Sequence, residues 1–145
     1  MKHPDGQDPE ARVGLLLLSH GPLADALRET VQVLEPEPAE PLGALSLAWD
    51  EAPERASERL QKAIAKADRG RGVVLLTDMF GGTPSNLALA FLQKGRVEIV
   101  TGVNLPMVVK ARALARAGTE PVDMARILVE KGRRAIVAAG ELMET

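Results

Sequence analysis

The stretch Val73-Val-Leu-Leu-Thr-Asp-Met-Phe-Gly-Gly-Thr-Pro84 decides how this chain folds. Its apolar run is short, shows no alternation and is closed by polar residues and paired glycines. Such a run reads as a strand covered on both faces, as in a parallel sheet. Toward the N-terminus, Val13-Gly-Leu-Leu-Leu-Leu18 repeats the pattern and is cut off by Ser19-His-Gly-Pro22. Leu42 to Ala48 and Val97 to Thr101 supply two further strands.

The segments between these runs have helical periodicity. Pro22 suits the first turn of a helix, and Leu23, Leu27, Val31 and Leu34 place one apolar face on it as far as about Glu35, where Glu35-Pro-Glu-Pro38 stops it. After Pro53, the residues Ala56, Leu60, Ile64 and Ala67 carry a second helix face, which Gly70-Arg-Gly72 is expected to end. A third helix is expected from Pro84 to Gln93 with Leu87, Ala90 and Phe91 inward, a fourth from Asn104-Leu-Pro106 to about Ala117, and a fifth from Pro121 to about Arg133. Strands alternating with helices predict an α/β fold with a parallel sheet, right-handed crossovers and helices on both faces.

Composition narrows the function. A chain of 145 residues with 46% hydrophobic content suits one domain, expected over 12–145. Met1 to Ala11, rich in Asp, Pro, Gly and Gln, reads as a flexible N-terminal extension. The net charge of −2 with both signs interspersed offers no basic footprint for nucleic acid or anionic lipid. Zero cysteines exclude a disulfide framework and thiolate metal sites, no signal-peptide apolar region is seen, and no apolar run approaches the roughly 20 residues a membrane helix needs. The expectation is a cytoplasmic protein whose partners are proteins or small molecules.

In open parallel sheets, ligands bind beyond the carboxyl ends of the strands, where loops and helix N-termini converge. Here those ends read Ser19-His20-Gly21-Pro22, Asp78 through Pro84, and Gly102-Val-Asn104-Leu-Pro106. Of the two histidines, His3 lies in the extension, so His20 is the positioned imidazole. A neutral imidazole is a nucleophile at one nitrogen when the other holds the proton, and Asp78 is the candidate carboxylate to fix that tautomer. Gly81, Gly82 and Thr83 precede a helix, so their N–H groups and the Thr83 hydroxyl form a candidate anion cradle. Singly, each has a plainer reading: His20 as a structural side chain, Asp78 as a helix cap, Gly81-Gly82 as a turn, Asn104-Leu-Pro as a loop into a helix. Nucleotide-binding glycine loops, a hydrolase serine elbow and paired-histidine metal spacing are all missing from the sequence, so neither cofactor nor metal is expected.

Taken in order, Gly14-Leu-Leu-Leu-Leu-Ser-His-Gly21, Leu76-Thr-Asp-Met-Phe-Gly-Gly-Thr-Pro-Ser-Asn86 and Thr101-Gly-Val-Asn-Leu-Pro-Met107 resemble the enzyme IIA domain of the mannose family of the bacterial sugar phosphotransferase system, over about Arg12 to Arg134. The resemblance implies a three-layer α/β/α sandwich on a mostly parallel four-stranded sheet of order 2-1-3-4. It also implies a homodimer, in which an antiparallel C-terminal strand is often exchanged, although Arg133-Arg-Ala-Ile-Val-Ala-Ala-Gly140 equally suits a helix. The family's phosphorylated histidine falls on His20, its histidine-orienting aspartate on Asp78, and its phosphoryl-binding hydroxyl on Thr83 after Gly81 and Gly82. The implied donor is the histidine-containing phosphocarrier protein (HPr), and the implied acceptor is a histidine of a sugar-specific enzyme IIB. The chain departs from the family in its N-terminal extension and in lacking a fused enzyme IIB, so a stand-alone carrier is expected, with any membrane link running through transporter subunits. Phe80 stands where relatives often have Trp; with Pro22 and Leu23 it reads either as core or as an apolar docking rim. Two other readings stay open: a regulatory module whose phosphorylation state controls a transcription factor or kinase, and a small-ligand-binding domain that is never phosphorylated.

Overall fold

The computed structural model describes residues 8–36, 41–79 and 81–144. Four strands, β1 (Arg12–His20), β2 (Leu42–Leu47), β3 (Gly70–Thr77) and β4 (Val97–Thr101), form one sheet of order β2-β1-β3-β4. Every neighbouring pair is parallel, with Leu17 opposite both Ala44 and Leu76, and Leu76 opposite Val100. The helices are α1 (Leu23–Leu34), α2 (Pro53–Ala67), α3 (Thr83–Leu89), α4 (Leu105–Arg116), α5 (Pro121–Arg134) and the short α6 (Ala139–Leu142).

The unalternating runs are explained by layers on both sides. Leu15 and Leu17 of β1, with Val74 and Leu76 of β3, pack under α1, α4 and α5 through Val31, Val108, Ala111, Met124 and Leu128. Leu16, Leu18, Val73 and Leu75 point the other way, onto Ala56 and Leu60 of α2 and Ala88 of α3. Successive side chains of a strand face opposite sides, so a strand between two helical layers must be apolar at every position. The close approach of α2 depends on Gly14: a Cβ there would lie 1.9 Å from the Ala67 carbonyl oxygen.

Several boundaries differ from the sequence expectation. Helix α2 stops at Ala67, and Gly70-Arg-Gly72 belongs to β3. Asp68 ends the helix, its N–H bonded to the Ile64 carbonyl, while its Oδ1 accepts the N–H groups of Gly70 and Gly72. Those glycines have φ of 106° and 91°. Helix α3 ends at Leu89 rather than Gln93. The N–H groups of Ala90, Phe91 and Leu92 bond three residues back, and Gln93 turns to pair with Val97, which tightens the chain out of the helix. Ala88, not Ala90, consequently fills the core. Pro22 caps α1 from outside its first turn.

Asp8 to Ala11 form a turn into β1 through an Ala11 N–H to Asp8 carbonyl bond, and the rest of the expected extension lies outside the described residues. Beyond α5, residues 135–144 add no strand to this sheet and include α6. Among the described residues, no helix is long and apolar enough to cross a membrane.

Candidate functional site at the carboxyl edge of the sheet

Strands β1 and β3 run side by side and parallel, with Leu18 opposite Thr77, so the residues that follow them emerge together. His20 is the last residue of β1 and Asp78 the first beyond β3. Gly21, with φ of 53°, then turns the chain toward α1, and its N–H bonds to the Leu47 carbonyl. Ser19 points into the protein, fully buried, where its hydroxyl accepts the Ala24 N–H at 2.7 Å and donates to the Gly21 carbonyl. It steadies the start of α1 and faces away from any chemistry.

Asp78 Oδ2 accepts the His20 backbone N–H at 2.9 Å and lies 2.9 Å from His20 Nδ1. Its Oδ1 accepts the Met79 N–H. The two side chains are 18% and 12% exposed, so water competes weakly for the contact. Burial pushes the Asp78 carboxyl up, but the hydrogen bonds from the His20 N–H, the His20 ring and the Met79 N–H outweigh it and hold the group below its ordinary value. An ionised carboxylate only accepts, so Nδ1 carries the proton of the neutral ring and Nε2 keeps its lone pair.

Gly82 passes close over the other edge of the ring. A Cβ on it would stand 2.4 Å from His20 Cε1 and 2.7 Å from Nε2. Its φ of −84° suits any residue, so the requirement for glycine here is one of space. Gly81 differs: its φ is 89°, nothing lies within 4 Å of its missing side chain, and its N–H donates to Ser85 Oγ at 2.9 Å. Ser85, buried, donates in turn to the Gly82 carbonyl. Gly81 thus shapes the turn and has its N–H engaged, while Gly82 stands next to the imidazole. Thr83 and Pro84 line a cavity of about 150 Å³ together with His20, Trp49 and Glu51.

Trp49 is the functional candidate that motif reading passed over. Its indole stacks on the His20 ring, with centroids 5.1 Å apart and planes inclined by 26°. The available signal was its uniqueness, one Trp in a chain with 2% aromatic residues, two positions after the β2 apolar run. Asn104, from the third strand end, is a capping residue: Oδ1 accepts the Met107 N–H and Nδ2 donates to the Gly132 carbonyl. Pro22, Leu23 and Met79 are exposed around the site, and Phe80 lies outside the described residues. No group of three or more His, Cys, Asp or Glu among the described residues is placed to hold a metal ion.

Comparison with known proteins agrees with this architecture. The sequence profile of the family described as "PTS system fructose IIA component" matches residues 14–128. The mannose-specific EIIAB component of Escherichia coli K12 is 31% identical over 128 residues, 87% of this chain and 39% of that protein. The fructose-specific EIIA component of Bacillus subtilis is 28% identical over 70% of each chain. The structure of a PTS IIA protein associated with the fucose utilization operon of Streptococcus pneumoniae superposes with a TM-score of 0.79, at 25% identity over 93% of this chain and 98% of that one. The chain spans about two fifths of the length of the mannose-specific relatives it matches. A family profile covering β1 through most of α5, on a fold whose strand order and helical layers the sequence motifs anticipate, places the chain in the mannose/fructose family of enzyme IIA components of the sugar phosphotransferase system.

Proposed function

We propose that this chain is a phosphohistidine carrier in which His20 Nε2 accepts a phosphoryl group from the histidine-containing phosphocarrier protein and passes it to a histidine of enzyme IIB. The observation that carries the reading is the double contact of Asp78 Oδ2 with the His20 backbone and Nδ1, which leaves Nε2 as the nucleophile.

As Nε2 bonds to phosphorus, the imidazole becomes positive, and the ionised Asp78 stabilises that charge through the retained Nδ1 proton. The Thr83 hydroxyl, with the N–H groups of Gly82, which precedes α3, and of Thr83 at its first position, is the proposed cradle for the three phosphoryl oxygens. Gly82 leaves the approach open because it has no Cβ. The protein needs no metal or nucleotide for this transfer, since both partners present an imidazole and the phosphoryl group moves in line between them. Return of the group to a second histidine is the same path reversed.

The exposed rim of Pro22, Leu23 and Met79 around a recessed imidazole suits docking of partner proteins rather than capture of a small molecule. Such partners place the carrier in the cytoplasm, with membrane transporter subunits reached only through enzyme IIB. β4 is an edge strand, bordered by the exposed Leu89, Leu92 and Ile136, so a homodimer that covers this edge, with or without exchange of the C-terminal segment, is part of the same reading.

The test is incubation with phosphoenolpyruvate, enzyme I and the phosphocarrier protein, followed by intact mass measurement and acid treatment. One acid-labile phosphoryl adduct on the wild type and none on His20→Ala is the expected result. Absence of an adduct under conditions that label a control carrier refutes the proposal.

A further inference from the structure

Trp49 is the sole tryptophan of the chain, which has two Phe and no Tyr, and it is 80% exposed. Core packing therefore does not account for its place. Its contacts lie at the end of β1. The indole stacks on the His20 ring, and it also lies over Gly21, where a Cβ would meet Nε1 at 3.2 Å and Cε2 at 3.5 Å. The turn that carries it is tied to α2. The Glu51 N–H bonds to the Ala48 carbonyl at 3.2 Å, and Glu51 Oε1 pairs with Arg59 of α2. The Glu51 side chain is 8% exposed and lines the same cavity as His20 and Trp49.

We infer that Trp49 is a positioning residue for phosphoryl transfer at His20. Its flat face holds the imidazole in the plane that meets Asp78, and its π-electrons stabilise the positive charge the ring acquires. The inference rests on the phosphohistidine reading above. In the step concerned, the neutral ring carries its proton on Nδ1. The Nε2 lone pair forms the N–P bond while the bond from phosphorus to the donor nitrogen breaks, and that nitrogen leaves with its electron pair. The Nδ1 proton stays against Asp78, so the imidazole of His20 gains one positive charge. Asp78 meets that charge in the ring plane and Trp49 meets it from the face. A cation within about 6 Å of an indole face gains an attraction equivalent to roughly a 2- to 30-fold change in rate.

The experiment separates ring chemistry from partner docking by using two donors, the phosphorylated phosphocarrier protein and phosphoramidate, a small donor that needs no protein surface. Wild type, Trp49→Phe, Trp49→Leu and Trp49→Ala are compared by the rate of acid-labile adduct formation, with circular dichroism as the check on folding. The expected result is a slowing of about 2- to 30-fold with phosphoramidate in the Leu and Ala variants, with most of the rate restored in Trp49→Phe. The emission of Trp49 should also change as the wild-type adduct forms and stay constant in His20→Ala. Equal phosphoramidate rates for wild type and Trp49→Leu overturn the inference while the carrier function stands. That holds even if transfer from the protein donor is slowed, because the indole is then a docking contact only. Failure of wild type to form an adduct with either donor overturns the carrier reading and this inference with it.

Discussion

One oxygen of Asp78 holds both the backbone N–H and the ring Nδ1 of His20, each at 2.9 Å. The backbone bond fixes where the loop after β3 sits against the end of β1, and the ring bond sets the tautomer. A single carboxylate thus joins the tertiary alignment of two strands to the nucleophilicity of one nitrogen.

Asp78→Asn should keep the shape of the site and lose its charge. An amide can still accept through its oxygen, but it does not neutralise an imidazolium, so phosphorylation of His20 should slow by on the order of 100-fold in a protein that still folds. Stopped-flow transfer from the phosphocarrier protein measures this, and wild-type rates in the variant would refute the role given to Asp78.

The same carboxylate makes stability depend on pH. Its folded value lies below its unfolded one, so its contribution is fully present above the ordinary carboxylate range near pH 4 and is lost as pH falls through the folded value. Thermal melts of wild type and Asp78→Asn should therefore differ most near neutrality and converge in acid. A gap that widens as the pH drops would contradict the sign of the shift.

The paired glycines should respond to alanine in different ways. At Gly82 the new methyl group collides with His20 Cε1 and Nε2, so Gly82→Ala should displace the ring and abolish labelling in a folded protein. At Gly81 the space is empty and the difficulty is the φ of 89°, which costs about 1–2 kcal/mol for a side-chain-bearing residue. Gly81→Ala should melt earlier yet still accept phosphate. Intact mass and calorimetry on both variants decide between these assignments.

Gly14→Ala tests the packing of α2 against the sheet. Its Cβ would occupy the place of the Ala67 carbonyl, and backbone, unlike the tip of a flexible side chain, cannot step aside. We expect a loss of several kcal/mol, roughly 2–4, in urea unfolding, at the upper end for single substitutions. A loss under about 0.5 kcal/mol would mean that α2 is free to move outward.

Much of this molecule was legible in its sequence. The apolar runs at Val13 to Leu18 and Val73 to Leu76 announce strands buried on both faces, because only a residue with helices above and below its strand must be apolar regardless of parity. The spacing of Leu27 and Val31 or of Ala56 and Leu60 announces the covering helices, since 3.6 residues per turn leave one stripe inward. Those local periodicities, with the motifs at the strand ends, point to the alternating fold and to His20, Asp78, Gly81, Gly82 and Thr83 as one candidate site, in which the structure sets Asp78 and Gly82 against the His20 ring, gives the Gly81 N–H to Ser85 and leaves Thr83 on the wall of the shared cavity.

Most of what escaped the sequence depends on atoms far apart along the chain. Nothing near Gly14 says that a helix end 53 residues later needs its missing side chain, and nothing near Gly81 and Gly82 says that one is required for its φ and the other for room beside an imidazole. The end of α2 at Asp68 and the tight exit from α3 are set by short-range hydrogen bonds that apolar periodicity does not report, and Asp68 is further tied to Arg96 across the sheet. Trp49 lies 29 positions from His20 and belongs to no motif. Parallel pairing of His20 with Leu47 brings the loop after β2 over the end of β1, and so stacks the indole on the imidazole. Periodicity is a property of neighbours along the chain and could be read directly; contact across the sheet is a property of register, and only the folded chain decided it.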